Sequence, residues 1–296
     1  MVVKKLNSVG RFRNSFELIY GNGTKMLVSD ELMLDSVIQL LHGSKDGMPE
    51  PFEFVKILTY LDKSDSPIVK ENIMMVELLF YNYIRHDVNL RHFQLFYGIL
   101  HNPSTMLELI KLAWLPDNEQ AKEIRKNEFA KNKNLSSIAK IALEILHGLE
   151  AQPCENNNGV VNGQDLKKYA KELLEAAKSE YLERPAMYVI GKLLGNINLG
   201  EDYPPPYLGE ILEELDKDEI DDEYRQQLFN RHGFTCRAYN EGGTIERKRE
   251  KKFLSYAEKT RFTYDRITIV FEKLASEYHH MGDREDVNAK LEDLDN

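Results

Sequence analysis

Residues 238–290 read AYNEGGTIERKREKKFLSYAEKTRFTYDRITIVFEKLASEYHHMGDREDVNAK, and they hold two unlike helical patterns joined by a turn near 260–263. In the second pattern Tyr264, Ile267, Val270, Phe271, Leu274, Ala275 and Tyr278 recur at steps of three and four. That spacing lays them along one face of a helix. The first pattern, from Thr244 to about Lys259, is apolar only late, at Phe253, Leu254, Tyr256 and Ala257. Its opening turns carry Arg247, Lys248, Arg249, Lys251 and Lys252. A helix that polar needs a neighbour or a ligand to hold it. The expected unit is a helix-turn-helix hairpin with a basic first helix.

Outward from this stretch the same period recurs. Leu135, Ile138, Ala142, Ile145, Leu146 and Leu149 make the sharpest stripe of the chain. Thr105–Trp114 is apolar on nearly every side, as a central helix would be. Residues 153–163, PCENNNGVVNG, lose the period and read as a linker, and three prolines at 204–206 read as a polyproline II spacer. Near the start, residues 16–20 and 25–28 flank Gly21-Asn22-Gly23, a hairpin signal with Phe16, Leu18 and Tyr20 at period two. No fixed-length repeat is present. The fold class expected is all-α, an irregular stack of helical hairpins (a HEAT-like solenoid or a bundle) with a small N-terminal β-hairpin. The expected organisation is residues 1–152 as hairpin plus helical subdomain, 164–290 as a second helical subdomain, and 291–296 as a frayed tail.

Composition narrows the function. The chain has 296 residues and a formal charge of −10, which opposes a general nucleic-acid coat. No apolar run reaches the roughly 18–20 residues of a membrane span, so no membrane partner is expected. Two cysteines, Cys154 and Cys236, suit a reducing cytoplasm without a disulfide. Phosphate-binding loops, nucleophile elbows and the H-E-x-x-H pattern are absent from the sequence, so no catalytic residue and no cofactor are expected.

Four constellations invite chemistry. Gly242-Gly243-Thr244 opens a helix with Arg247, Lys248 and Arg249 in its first turns, the pattern of an anion- or partner-binding helix start. A plain glycine turn with a threonine cap explains the same residues. His279 and Asp283 share a helix face at i, i+4, which suits a metal, yet they read first as an exposed, charged helix end and no metal is expected. The remaining histidines (His42, His86, His92, His101, His147 and His232) read as structural. The pairs Glu213/Glu214 and Asp221/Asp222 lie in an acidic run, which reads as a solvated face rather than a general acid–base pair. Gly191 and Gly195 at i, i+4 read as a close helix contact. Finally, residues 210–223 carry nine acids and one lysine, and residues 247–252 carry five bases and one acid. Their charges predict that the acidic run lies against the basic helix and neutralises it.

FEFVKILTYL, MLELIKLAWLPDNE, VVNGQDLKKYAKELLEAA, ERPAMYVIGKLLG, DEYRQQLFNRHGFTCRAYNEGGTIERK and YDRITIVFEKLASEYHHMGDRED follow one another from Pro49 to Lys290. In order and spacing these pieces resemble the C-terminal all-helical region of large uncharacterised bacterial proteins with no assigned activity. The resemblance implies a bacterial source, a free-standing version of a terminal module, and a part in a multi-component system such as phage defence. It carries over no catalytic residue. The function expected is a non-catalytic scaffold or protein-interaction module. The alternatives are a nucleic-acid binder using residues 247–252 with Arg261 and Arg266, and an enzyme of unrecognised class.

Overall fold

Helical periodicity governs the whole of the described chain. The computed structural model describes residues 2–21, 28–41, 43–85, 93–156, 158–201, 203–231 and 242–294. Among these residues there are sixteen α-helices and no strand. The helices group into two compact units, Met1–Leu115 with Lys122–His147, and Pro116–Ala121 with Gly148–Asn296. Among the described residues no helix is long and apolar enough to cross a membrane. His42, His86, His92, His232 and Cys236 lie outside them, as do residues 238–241.

The first unit contains α1 (Val2–Ser8), α2 (Phe12–Gly21), α3 (Asp30–Leu40), α4 (Pro51–Leu61), α5 (Pro67–Leu79), α6 (Tyr81–Ile84), α7 (Gln94–His101) and α8 (Pro103–Ala113). Most of α9 (Glu119–Lys131) and α10 (Lys133–Gly148) belong to it as well. The first arm of the expected β-hairpin is corrected here: residues 16–20 are helical, within α2. The second arm falls mostly on residues 25–27, outside the described residues. FELIY satisfies both periods. The helical one wins because Phe12, Phe16 and Ile19, at i, i+4 and i+7, are all buried, while Leu18 is only half-buried. Phe16 packs on Phe54 of α4 with ring centroids 5.2 Å apart, and Phe54 in turn meets Phe80 at 4.6 Å. The start of α2 is held from a distance: Arg13 N–H donates to Ser44 Oγ (3.0 Å) and Asn14 N–H to Asp46 Oδ2 (3.2 Å). These two acceptors satisfy amides that every helix start leaves open.

Two carboxylates do the same for α7. Gln94 N–H donates to Asp62 Oδ1 (3.1 Å), and Leu95 N–H to Glu77 Oε2 (2.7 Å). Glu77 is fully buried, and its Oε1 has no hydrogen-bond partner. Burial pushes its pKa up to about 8; the charge of Asp62 adds to the rise, and the α7 amides oppose it.

The second unit contains α11 (Gly163–Ser179), α12 (Glu183–Gly195), α13 (Pro206–Leu215), α14 (Asp218–Asn230), α15 (Thr244–Thr260) and α16 (Asp265–Leu294). The described residues of 153–163 turn back on themselves inside this unit, with an isolated antiparallel bridge between Glu155 and Val161. Asn162 ends the turn and caps α11 by accepting from Gln164 N–H and Asp165 N–H. Among prolines 204–206, Pro206 already belongs to α13. Helices α12 and α14 approach closely through Gly191 and Gly195. A Cβ on Gly191 would lie 2.8 Å from Ile220 O and 2.7 Å from Glu223 Cβ; one on Gly195 would lie 2.5 Å from Gln227 Cβ.

Helices α15 and α16 pair across a short turn. Phe253, Tyr256 and Ala257 face Ile267, Val270, Phe271, Leu274, Ala275 and Tyr278, all buried. Phe253 stacks on Tyr278 with centroids 5.7 Å apart, and Tyr256 meets Phe271 at 5.4 Å. At the turn the buried hydroxyls of Thr260 and Thr268 bond to each other at 2.8 Å. This core holds the polar first turns of α15 against α16.

Candidate functional site

The site proposed from the sequence is the start of α15. Gly242 has φ +58, a left-handed backbone that suits glycine, and Gly243 is the N-cap without a side-chain acceptor. A Cβ on Gly243 would lie 2.4 Å from Gly282 O, so the helix start rests directly on the backbone of α16. That contact brings Asp286 into place. Its Oδ1 accepts Gly243 N–H at 2.7 Å, and its Oδ2 lies 3.2 Å from Arg247 Nη2. Arg247 also bonds Asp283, while its Nη1 lies 2.9 Å from His279 Nδ1 and 3.4 Å from Glu250 Oε2.

Thus the place that an external anion would take is filled by a carboxylate of the same chain. One guanidinium faces three carboxylates, Glu250, Asp283 and Asp286, and the cluster repels a further anion. The Gly243 amide and then Arg247 hold Asp286 below the usual carboxylate range; for Asp283 the hydrogen bond from Arg247 is the main cause. His279 Nδ1 sits 2.9 Å from both Arg247 Nη1 and Glu250 Oε1. The guanidinium only donates, so a bare Nδ1 accepts from Arg247, and a protonated Nδ1 donates to Glu250. Among the described residues no group of three or more His, Cys, Asp or Glu side chains could hold a metal ion.

The remaining bases of residues 247–252 part company. Arg249 lies over the ring of Tyr278 at 5.6 Å, and the Lys252 ammonium over the ring of Tyr256 at 5.5 Å. Thr244, Lys248, Lys251 and Lys252 are exposed. The acidic run meets a different base from the one its charge suggested. Arg266, at the start of α16, reaches Asp216 (2.5 Å), Asp218 (2.8 Å) and Asp221 (2.7 Å), and its amide donates to Glu213 Oε1 at 2.7 Å. Glu214 pairs with Lys167 and Lys171, and Asp222 lies 3.7 Å from Lys273. The expectation that this run neutralises the basic helix is therefore corrected: α13 and α14 pack on α16, and their acids serve Arg266. Burial pushes the Asp221 pKa up to about 6 even though Arg266 opposes the rise. Nothing local in the sequence marked Arg266 as the hub of these acids. Its only signal was a base three residues after a turn.

A cavity of about 470 Å³ in the first unit is lined by Ile19, Tyr20, Met33, Val55, Lys56, Ile57, Thr59 and Tyr60. Lys56 Nζ donates to Tyr20 Oη at 3.0 Å there. The lining carries no carboxylate, imidazole or thiol, so an amine and phenols are its ionisable groups.

Comparison with family models, with curated proteins and with solved structures finds no match for this chain.

Proposed function

We propose that this chain is a non-catalytic protein-interaction module, a stack of helical hairpins that presents its outer helix faces to a protein partner. The observation that carries the reading is a set of large apolar side chains left on those faces. In the first unit Ile68 and Met75 on α5 and Tyr97 on α7 are about half exposed or more, and in the second so are Leu254, Phe262 and Ile269. Tyr97 stands out to solvent, stacked on His101 at 4.4 Å, although its neighbours Phe93 and Phe96 are core. An enzyme is the weaker reading because Arg247 and Arg266, where polar groups converge, are already paired with carboxylates of their own chain. The resemblance to terminal modules of larger bacterial proteins supports a place in a multi-component assembly, phage defence included.

Nucleic-acid binding is the second reading, and exposed Lys248, Lys251 and Lys252 favour it. It loses Arg247, Arg261 and Arg266 to carboxylates and Arg249 to Tyr278. The deciding experiment is affinity capture from source cells with and without nuclease, followed by reconstitution from purified components. The expected result is a stoichiometric protein partner that survives nuclease and rebinds when purified. Co-purification of nucleic acid alone, or loss of the partner on nuclease treatment, refutes the reading.

A further inference from the structure

We infer that the outer face of α15, with Phe262 at its end, docks an acidic amphipathic helix of a partner protein. The inference rests on the interaction-module reading and names the chemistry of the partner. Lys248, Lys252 and Lys259 follow one another at steps of four and seven, so they share a stripe on α15, with Lys251 beside it, and Phe262 stands in the turn just past the end of the helix. From Lys248 to Lys259 the stripe is about 16 Å long at 1.5 Å per residue, and Phe262 extends it beyond the helix end. Lys248, Lys251 and Lys252 are exposed, and no carboxylate among the described residues pairs with them. Phe262 is 96% exposed, which leaves a whole aromatic ring in water. Leu254 and Ile269 are each 49% exposed, and an Arg261–Glu272 ion pair (2.9 Å) ties the end of α15 to α16.

The surface therefore combines cations with an aromatic anchor and aliphatic groups, and it asks for a ligand with acids and apolar side chains together. An amphipathic helix with an acidic face and an apolar edge has both, and charge complementarity selects it. A nucleic acid fits less well. Leu254 offers nothing to phosphate, and Arg247, Arg249, Arg261 and Arg266 are engaged with carboxylates or with Tyr278.

Fluorescence anisotropy with defined probes tests this. The probes are an amphipathic peptide of about 16 residues, long enough to match the stripe, with glutamates on one face and leucines on the other, a scrambled peptide of the same composition, and single- and double-stranded DNA. At about 150 mM salt the amphipathic peptide is expected to bind and to weaken as salt rises. Phe262→Ala, and separately the triple variant K248E/K251E/K252E, should each weaken it at least about tenfold. Equal binding of the scrambled peptide overturns the inference by reducing it to plain charge attraction. DNA binding tighter than the peptide and lost in the triple variant assigns the surface to nucleic acid instead. Absence of peptide binding, or indifference to Phe262→Ala, also overturns it. Circular dichroism and melting of each variant show that it is folded. If a captured partner protein binds the triple variant unchanged, this inference falls while the interaction-module reading stands.

Discussion

Glu77→Gln removes a titratable group from the interior of the first unit and keeps an oxygen to accept Leu95 N–H. In the folded chain Glu77 holds its proton up to about pH 8, against an ordinary value of 4.5. Between those values the folded state binds a proton that the unfolded state has released. Stability therefore falls as pH rises through this window and levels off above it. At about 1.4 kcal/mol for each tenfold change, the displacement from 4.5 to about 8 corresponds to an upper bound of about 5 kcal/mol. Relaxation around the ionised carboxylate reduces this, and a loss of about 2–4 kcal/mol is expected. The glutamine variant cannot ionise, so its stability should be flatter across the window, and its advantage over the parent should grow with pH. Urea unfolding followed by circular dichroism at about pH 5.5, 7 and 8.5 measures both slopes. Parallel pH profiles would show that Glu77 does not titrate in this range in the folded protein and would refute the reasoning.

Gly191→Ala places a Cβ 2.8 Å from Ile220 O; the forced separation of α12 and α14 should cost about 1–3 kcal/mol, seen as a lower melting temperature. Arg266→Met strands the buried Asp221, mostly ionised at neutral pH, among Asp218 and Asp222. A loss of about 1–3 kcal/mol is expected near neutral pH, shrinking at about pH 5 as Asp221 protonates, and a pH-independent loss would contradict that account. Asp286→Ala removes the acceptor of Gly243 N–H, so hydrogen exchange should quicken at residues 243–247 and stay unchanged at 267–278. In the parent the same loosening should begin only as pH falls below the ordinary 3.8, because Asp286 is held lower than that when folded. Phe262→Ala should leave stability within about 0.5 kcal/mol of the parent, since the ring is 96% exposed.

The inward face of α16 was legible in the sequence because helical periodicity is local. Ile267, Val270, Phe271, Leu274 and Tyr278 share a face by geometry alone, whatever they pack against. The approach at Gly191 and Gly195 was legible for a similar reason, since two small residues one turn apart leave a groove. FELIY was not legible, because five residues fit a strand or a helix. Phe54, Ser44 and Asp46, some thirty residues away, contribute the packing and the caps that favour the helix. The basic run was legible as charge but not as a site. Whether a guanidinium faces water, an aromatic ring or a carboxylate depends on which distant residues the packing brings within hydrogen-bond reach. Close contact of Gly243 with Gly282 delivers Asp286 to Arg247, and the packing of α13 and α14 on α16 delivers three aspartates to Arg266. Sequence fixes periodicity through neighbours three and four residues apart, whereas ion pairing follows distance through space, and only the tertiary structure sets that distance.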